Sequence, residues 1–282
     1  MLNSYLFIPA NKQHFINKVN LLNADYFIFD VEESVSYSEQ ISCIENLKKI
    51  DLKSNYFIRP PLFSAADGKI NTVFIHNLIE IGFLNFVLPK ITELSELILI
   101  KNLVLDKYSV ESKQFRFIVL IENPMGLLNL LSIVRNSPIV IDSIGIGSHD
   151  YCNAMGMQHT AQNLYFAKHS LLNIGKAFNI NTIDTVSTIF NDEISFEQEC
   201  KDAYSMGFDG KFLIHPNQLK VLQNTKYYTV QEIDEALKVY EKMKNIDVND
   251  FSIVEINGKI FERPHLKRIL KIVKWKNNYD SK

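Results

Sequence analysis

Eight short runs rich in β-branched and aromatic residues punctuate this chain, and the gap after each leaves room for a helix. They are YLFIPA (5–10), DYFIFDVE (25–32), NYFIRP (55–60), FVLPKI (86–91), FRFIVLIE (115–122), IDSIGIGSHD (141–150), TIDTVSTI (182–189) and KFLIHP (211–216). The intervening segments FINKVNLL, FIHNLIEIG, ELSELILIKNLV, NLLSIV, AKHSLLNIGKAF and FEQECKDAYSMG space their apolar residues by three and four. That is the period of a helix with one buried face. Strand-then-helix repeated eight times predicts parallel strands joined by crossover helices, and eight units suit a closed TIM (β/α)8 barrel, an α/β fold. The alternative is an open doubly wound sheet. It ordinarily carries a glycine-rich phosphate turn after its first strand, where this chain has Pro9-Ala10-Asn11.

The rhythm changes past residue 225, so a barrel domain is expected over 1–225 and an appendage over 226–282. Thr229 with Glu232 three residues on reads as a capping box opening a helix that runs to about Lys244. FSIVEI and KIFE flank Asn257-Gly258, a two-residue hairpin signal. Pro264 suits the first position of a last helix, PHLKRILKIVKW. The tail therefore reads as a helix–hairpin–helix extension.

Composition removes several function classes. With 282 residues, 46% hydrophobic and 22% charged, the chain has the make-up of an ordinary globular protein. A formal net charge of −2 leaves no electrostatic footprint for nucleic acid or an acidic membrane. Cys43, Cys152 and Cys200 lie far apart with no CxxC spacing, which reads as reduced core thiols of a cytoplasmic protein. The start, MLNSYLFIPANK, lacks the features of a signal peptide, and LILIKNLVL is too short to span a bilayer.

Phe117 to Ile121 is an unbroken apolar run ending directly at Glu122. A strand covered on both faces explains the run. It does not explain the carboxylate, which is costly to bury unpaired. In a barrel the carboxyl ends of the strands share one face, where active sites lie. Asp30, Glu32, Glu33, Arg59, Lys90, Glu122, His149, Asp150 and His215 all fall at such ends. Carboxylates gathered this densely repel one another unless a cation sits among them. Glu122 and Asp150 offer oxygen donors only, which suits Mg²⁺, with Mn²⁺ possible, better than zinc. Arg59 can clamp a substrate carboxylate with two parallel hydrogen bonds. His149 is set aside as a third ligand because adjacent strand residues point to opposite faces. His215, before Pro216, reads as a hydrogen-bonded barrel-end histidine, and Lys90 as a partner of Asp30 or Glu33. A metal-assisted reaction on an oxo- or hydroxy-acid follows from the residues themselves.

These stretches also carry a resemblance. Leu6-Phe7-Ile8-Pro9-Ala10-Asn11 is similar to an LFVPGN opening, Phe29-Asp30-Val31-Glu32-Glu33-Ser34-Val35 to LDLEDAV, and Ile58-Arg59 to the start of RVN. Val87-Leu88-Pro89-Lys90 matches LPK, Ile121-Glu122 matches IET, and Gly147-Ser148-His149-Asp150 matches FGxxD. Asp184 stands at an ID pair, and Gly207-Phe208-Asp209-Gly210-Lys211 with Ile214-His215-Pro216-Asn217-Gln218 resembles GFxGKxxIHPxQ. In the tail, Asn257 to His265 resembles DGKMIDRPH. In that order, the motifs resemble the citrate lyase beta-subunit–like family of the HpcH/HpaI aldolase superfamily, over nearly the whole chain.

The resemblance implies a Mg²⁺-dependent carbon–carbon lyase acting on a 3-hydroxy acyl thioester such as a citramalyl, malyl or citryl derivative. The carrier would be coenzyme A or an acyl carrier protein. It implies Glu122 and Asp150 as metal ligands, Arg59 at the developing enolate, and Glu32, Glu33 and Glu262 as catalytic carboxylates. Pro9, Asn11, Arg59 and Lys90 would contact substrate. It further implies a homo-oligomer, commonly a trimer, whose tail carries Glu262 to a neighbouring site. Ala10 for glycine, Pro60-Pro61 after Arg59 and Glu262 for aspartate depart from the pattern. They leave open an aldolase on a free 2-oxo acid or a non-catalytic subunit.

Overall fold

The computed structural model describes residues 1–108, 114–188, 190–244 and 253–280. Eight parallel strands close into a barrel in sequence order. They are β1 (Asn3–Pro9), β2 (Tyr26–Asp30), β3 (Tyr56–Arg59), β4 (Asn85–Leu88), β5 (Arg116–Ile121), β6 (Ile141–Ile146), β7 (Asn181–Asp184) and β8 (Gly210–Leu213). β1 pairs with both β2 and β8, which is the closure. The TIM barrel is thus the observed fold, not the open sheet.

Each strand is followed by helix: α1 (Gln13–Ile16), α2 (Gln40–Leu47), α3 (Thr72–Ile81), α4 (Leu94–Tyr108), α5 (Pro124–Asn136), α6 (Ser148–Met155) with α7 (Ala161–Ala177), α8 (Glu193–Met206) and α9 (Pro216–Asn224). Side-chain caps mark several starts. The Asn71, Asn123, Thr160 and Asp192 side chains accept backbone N–H groups of α3, α5, α7 and α8. Tyr5, Ile28, Phe57, Val87, Ile118, Leu120, Ile183 and Phe212 form one buried cluster drawn from the strands. The barrel is therefore filled with side chains and has no pore.

The sequence runs overshoot the strands, and the differences bear on the site. IDSIGIGSHD stops being strand at Ile146, and Ser148, His149 and Asp150 form the first turn of α6. The alternation argument that set His149 aside therefore does not apply to it. TIDTVSTI keeps strand only to Asp184, and Ile189 lies outside the described residues. FINKVNLL yields only the single turn α1 and a 3₁₀ turn at Val19–Leu21.

By its internal contacts the chain divides into Leu2–Thr225 and a second unit of Lys226–Lys282 with Met1. The second unit holds α10 (Val230–Met243), the hairpin β9 (Val254–Ile256) and β10 (Lys259–Phe261), and α11 (Leu266–Asp280). Ala236, Val239, Met243, Ile256, Leu266, Ile269, Ile272 and Val273 give it a core of its own. The capping box forms: the Thr229 N–H donates to Glu232 Oε2 at 2.9 Å, and the Glu232 N–H donates to Thr229 Oγ1 at 3.2 Å. Asn257 (φ 52°) and Gly258 (φ 74°) both take the left-handed conformation that a type I′ hairpin turn demands. Pro264 differs from expectation. It sits in a 3₁₀ turn, Arg263–His265, and α11 begins after it.

Candidate active site

The site starts from the last residue of β2. Asp30 is buried, 2% exposed, and its carboxylate accepts from the N–H groups of Glu32 (3.1 Å) and Ser34 (3.0 Å), tying down the loop that follows. Arg59, the last residue of β3 and the register neighbour of Asp30, donates Nε to Oδ1 at 2.7 Å and Nη2 to Oδ2 at 2.8 Å. This fork occupies one edge of the guanidinium, whose face lies 4.8 Å over the ring centre of Phe7. Burial alone would raise the Asp30 carboxyl. Arg59 and the backbone donors outweigh it and hold the group below the usual carboxylate range. Glu32 fares differently. Burial, only partly offset by Arg59 and Lys90, leaves its carboxyl raised.

Glu122 follows β5 and is 4% exposed. Its Oε2 accepts the backbone N–H of Lys90 at 2.9 Å. Lys90 reaches that position in the left-handed region, φ 58°, which costs a non-glycine residue about 1 kcal/mol. On the other side stands Gly147, where a Cβ would meet Glu122 Oε1 at 2.3 Å, so only glycine admits this carboxylate. Asp150, on the first turn of α6, is about two-fifths exposed. Burial pushes the Glu122 carboxyl up to about 8, with the negative charges of Glu32 and Asp150 adding to the push. A carboxylate fixed by a backbone donor, crowded by other carboxylates and given no cation in contact is one whose environment favours a divalent ion.

These groups face a cavity of about 370 Å³ at the carboxyl ends of the strands. Pro9, Asp30, Glu33, Arg59, Glu122 and Asp150 line it, all singled out from the sequence, and His149 joins them. Glu32 and Lys90 stand one step back, lining a smaller neighbouring cavity with Pro61. There the Lys90 ammonium lies 2.9 Å from Glu32, 3.1 Å from Glu33 and 3.9 Å from Asp150. Lys90 pairs with Glu33 as expected, but Asp30 goes to Arg59 instead. Asn11 does not line the cavity; its amide donates to Glu39 at 3.2 Å. His215 caps α9, its Nδ1 accepting the Asn217 N–H at 3.1 Å. Glu262 is exposed in the second unit, where its N–H donates to His265 Nδ1 at 2.9 Å. Among the described residues no trio of His, Cys, Asp and Glu gathers into a metal cage. A Glu122–Asp150 pair fits Mg²⁺, which takes one or two carboxylates and fills its octahedron with water and substrate oxygens.

Sequence reasoning missed a second ionic cluster. Asp184, 1% exposed at the end of β7, lies 2.8 Å from Lys211 of β8 and 2.8 Å from Lys168 of α7. Glu199 of α8 stands 3.5 Å from Lys211. The Asp184–Lys211 pair was open to detection, since the two are register neighbours. Lys168 carried no sequence signal beyond helical spacing.

A family model described as HpcH/HpaI aldolase/citrate lyase matches residues 3–216, most of the chain. The chain belongs to the HpcH/HpaI aldolase/citrate lyase family. Family membership makes it an enzyme of the lyase class. The citrate lyase subunit beta of Leuconostoc mesenteroides subsp. cremoris is 26% identical over 289 residues, covering 96% of this chain and 92% of the relative. A (3S)-malyl-CoA thioesterase of Cereibacter sphaeroides is 25% identical, covering 93% and 90%. In fold, the chain resembles CitE of Mycobacterium tuberculosis, a structure holding magnesium, acetoacetate and coenzyme A, with a TM-score of 0.80 over 97% of both chains at 19% identity. Among the described residues no helix is long and apolar enough to cross a membrane.

Proposed function

We propose that this protein is a Mg²⁺-dependent carbon–carbon lyase acting on a 3-hydroxy dicarboxylic acyl thioester of the citramalyl-, malyl- or citryl-CoA class. One observation carries the reading. Glu122 and Asp150 line the same cavity as Arg59, with Glu122 held ready by the Lys90 N–H and the absence of a side chain at Gly147. Glu122 and Asp150 would hold the metal, which when bound supplies Lewis-acid polarisation and a template for the oxo-acid oxygens.

The remaining chemistry belongs to the chain. In retro-Claisen cleavage the C3 hydroxyl loses its proton, the C2–C3 bond breaks, and C3 becomes the carbonyl of a 2-oxo acid. The electron pair passes to the thioester as an enolate, which is then protonated at C2. Arg59 spends Nε and Nη2 on Asp30, and its remaining donors are the natural partner for the enolate oxygen, where charge grows. Asp30 thereby orients Arg59 and keeps it charged. Glu33 lines the cavity with no guanidinium of its own, which supports it as the carboxylate that handles the hydroxyl proton. Glu32 steadies Lys90, whose main chain in turn positions Glu122. Pro9 packs at the rim. Glu262 completes a neighbour's site if the chain assembles as a homotrimer through its tail. Buried, unpaired Cys43, Cys152 and Cys200 suit a cytoplasmic protein.

The test offers citramalyl-, malyl- and citryl-CoA with Mg²⁺ and measures the free 2-oxo acid. Expected is release from at least one of them, abolished by EDTA. No release from any, alongside cleavage of a free hydroxy-oxo-acid, would replace the thioester reading with an aldolase. Simple hydrolysis to coenzyme A with the acid intact would replace it with a thioesterase.

A further inference from the structure

Among the described residues, matching each charge around the cavity to its partner leaves no lysine or arginine over. Arg59 is taken by Asp30 through two hydrogen bonds, and Lys90 by Glu32 and Glu33. Glu122 and Asp150, which Lys90 approaches only to 3.9 Å, remain, and a single divalent ion would neutralise the two. Among the described residues lining the cavity, Arg59 is the one fixed cation. Below the carboxylates the surface is apolar. Leu120 and Phe212 of the barrel interior cluster, with Phe7 and Val186 packed on it and Ile146, form that part of the lining.

We infer that the site selects a substrate whose 2-oxo acid product carries one carboxylate and a small apolar substituent, the pyruvate type, and rejects a product carrying a second carboxylate. This rests on the lyase reading above. The first carboxylate of the acid half is held with the adjacent oxygen at the Glu122–Asp150 pair. A second carboxylate, as in a citryl substrate, would face Asp30, Glu33, Glu122 and Asp150; with the remaining Arg59 donors given to the thioester oxygen, the His149 imidazole and the hydroxyls of Ser34, Ser148 and Thr188 are what is left to receive it. Burying an unpaired charge against like charges is among the costliest things a site can do. A methyl group in its place would lie on Leu120, Val186 and Phe212 and gain from leaving water. The discrimination comes from the missing cation, not from lack of room.

Binding of pyruvate, 2-oxobutyrate and oxaloacetate to the full chain in the presence of Mg²⁺, followed by calorimetry, separates charge from size. 2-Oxobutyrate adds bulk without charge. The expected result is pyruvate and 2-oxobutyrate within about threefold of each other, and oxaloacetate at least tenfold weaker. Val186→Arg or Thr188→Arg, each placing a cation at the cavity, should recover oxaloacetate binding; the pair guards against either one misfolding. Oxaloacetate binding as tightly as pyruvate overturns the inference. So does rejection of 2-oxobutyrate together with oxaloacetate, which would mean exclusion by size. If none of the three binds, the lyase reading itself falls, an outcome distinct from both.

Discussion

Two ionic clusters stand at the carboxyl ends of the same barrel, and they are built on opposite rules. Around Asp184 the charges close: Asp184 and Glu199 face Lys168 and Lys211. Around Glu122 they do not: Asp30, Glu32, Glu33, Glu122 and Asp150 share Arg59 and Lys90. The closed cluster meets its own electrostatic needs and can serve as a fastening between strand, strand and helix. The open cluster leaves carboxylates in want of a cation, and that want is what makes it a site. Physical chemistry separates the two where residue type does not.

The largest effect should come from removing a carboxylate that, among the described residues, has no cationic side chain in contact with it. Glu122→Gln should weaken Mg²⁺ binding by more than about a hundredfold, since even residues that only orient a ligand cost ten- to a hundredfold. Turnover should fall with it while the fold survives. Calorimetry and thermal unfolding on the same preparation check both halves. Asp184→Asn should do the reverse. Lys211 is left buried with only the Glu199 carboxylate at 3.5 Å, and the half-buried Lys168 loses its carboxylate, at a cost of about 3 kcal/mol in stability, seen as a lower denaturant midpoint. Mg²⁺ affinity of the folded fraction should hold.

The clusters should also answer pH with opposite signs. The Glu122 carboxyl is raised in the folded state, so the metal-free protein holds that proton more tightly folded than unfolded. Its stabilising contribution is full below about 4.5 and is lost as pH rises towards about 8. Asp184 is held below the usual carboxylate range because Lys211 and Lys168 outweigh the effect of burial. Its contribution is present at neutral pH and fades only as pH falls through the acid range. Melting temperatures of metal-free protein from pH 4.5 to 8 should therefore decline, and Mg²⁺ or Glu122→Gln should flatten the decline. A flat curve for the metal-free wild type would break the comparison.

Smaller effects sharpen it. Lys90→Met leaves the backbone donor to Glu122 in place but removes an ammonium 3.9 Å from Asp150. Mg²⁺ should then bind a few-fold tighter, by about 1 kcal/mol, the size of a unit-charge interaction at about 4 Å screened by water, since the Lys90 side chain is 44% exposed. Turnover should drop, because Glu32 and Glu33 lose their partner. Smallest of all, Lys168→Gln keeps a donor beside Asp184 and should cost about 1 kcal/mol of stability with no change in metal affinity.

Much of this was legible beforehand, for identifiable reasons. Glu122 announced itself because a strand buried on both faces cannot end in a carboxylate without cause. Arg59 and Asp30 were visible as strand-end residues, and a salt bridge from Arg59 to Glu32 or Asp30 could be anticipated, but which carboxylate it takes waits on neighbouring strands pairing in register. Asp150 was placed correctly at the rim on a wrong premise: it stands on the first turn of a helix, because the chain leaves the sheet at Ile146. Asn11 shows the limit of reading by motif, because its partner Glu39 lies in the 3₁₀ turn ahead of α2, 28 residues away, and no local pattern brings the two together.

From the order of residues alone came the alternation of strands and helices, the hairpin at Asn257-Gly258, the capping box at Thr229 and the acidic character of the rim. These are local or periodic properties, written within a few residues of one another. Which carboxylates are satisfied and which are left wanting was decided only when the barrel closed. Closure brought Lys168 to Asp184, Lys90 to Glu32 and Glu33, and a bare Gly147 against Glu122, across separations that no local pattern spans. Charge compensation depends on distances of a few ångströms and on burial, and both are products of the folded chain.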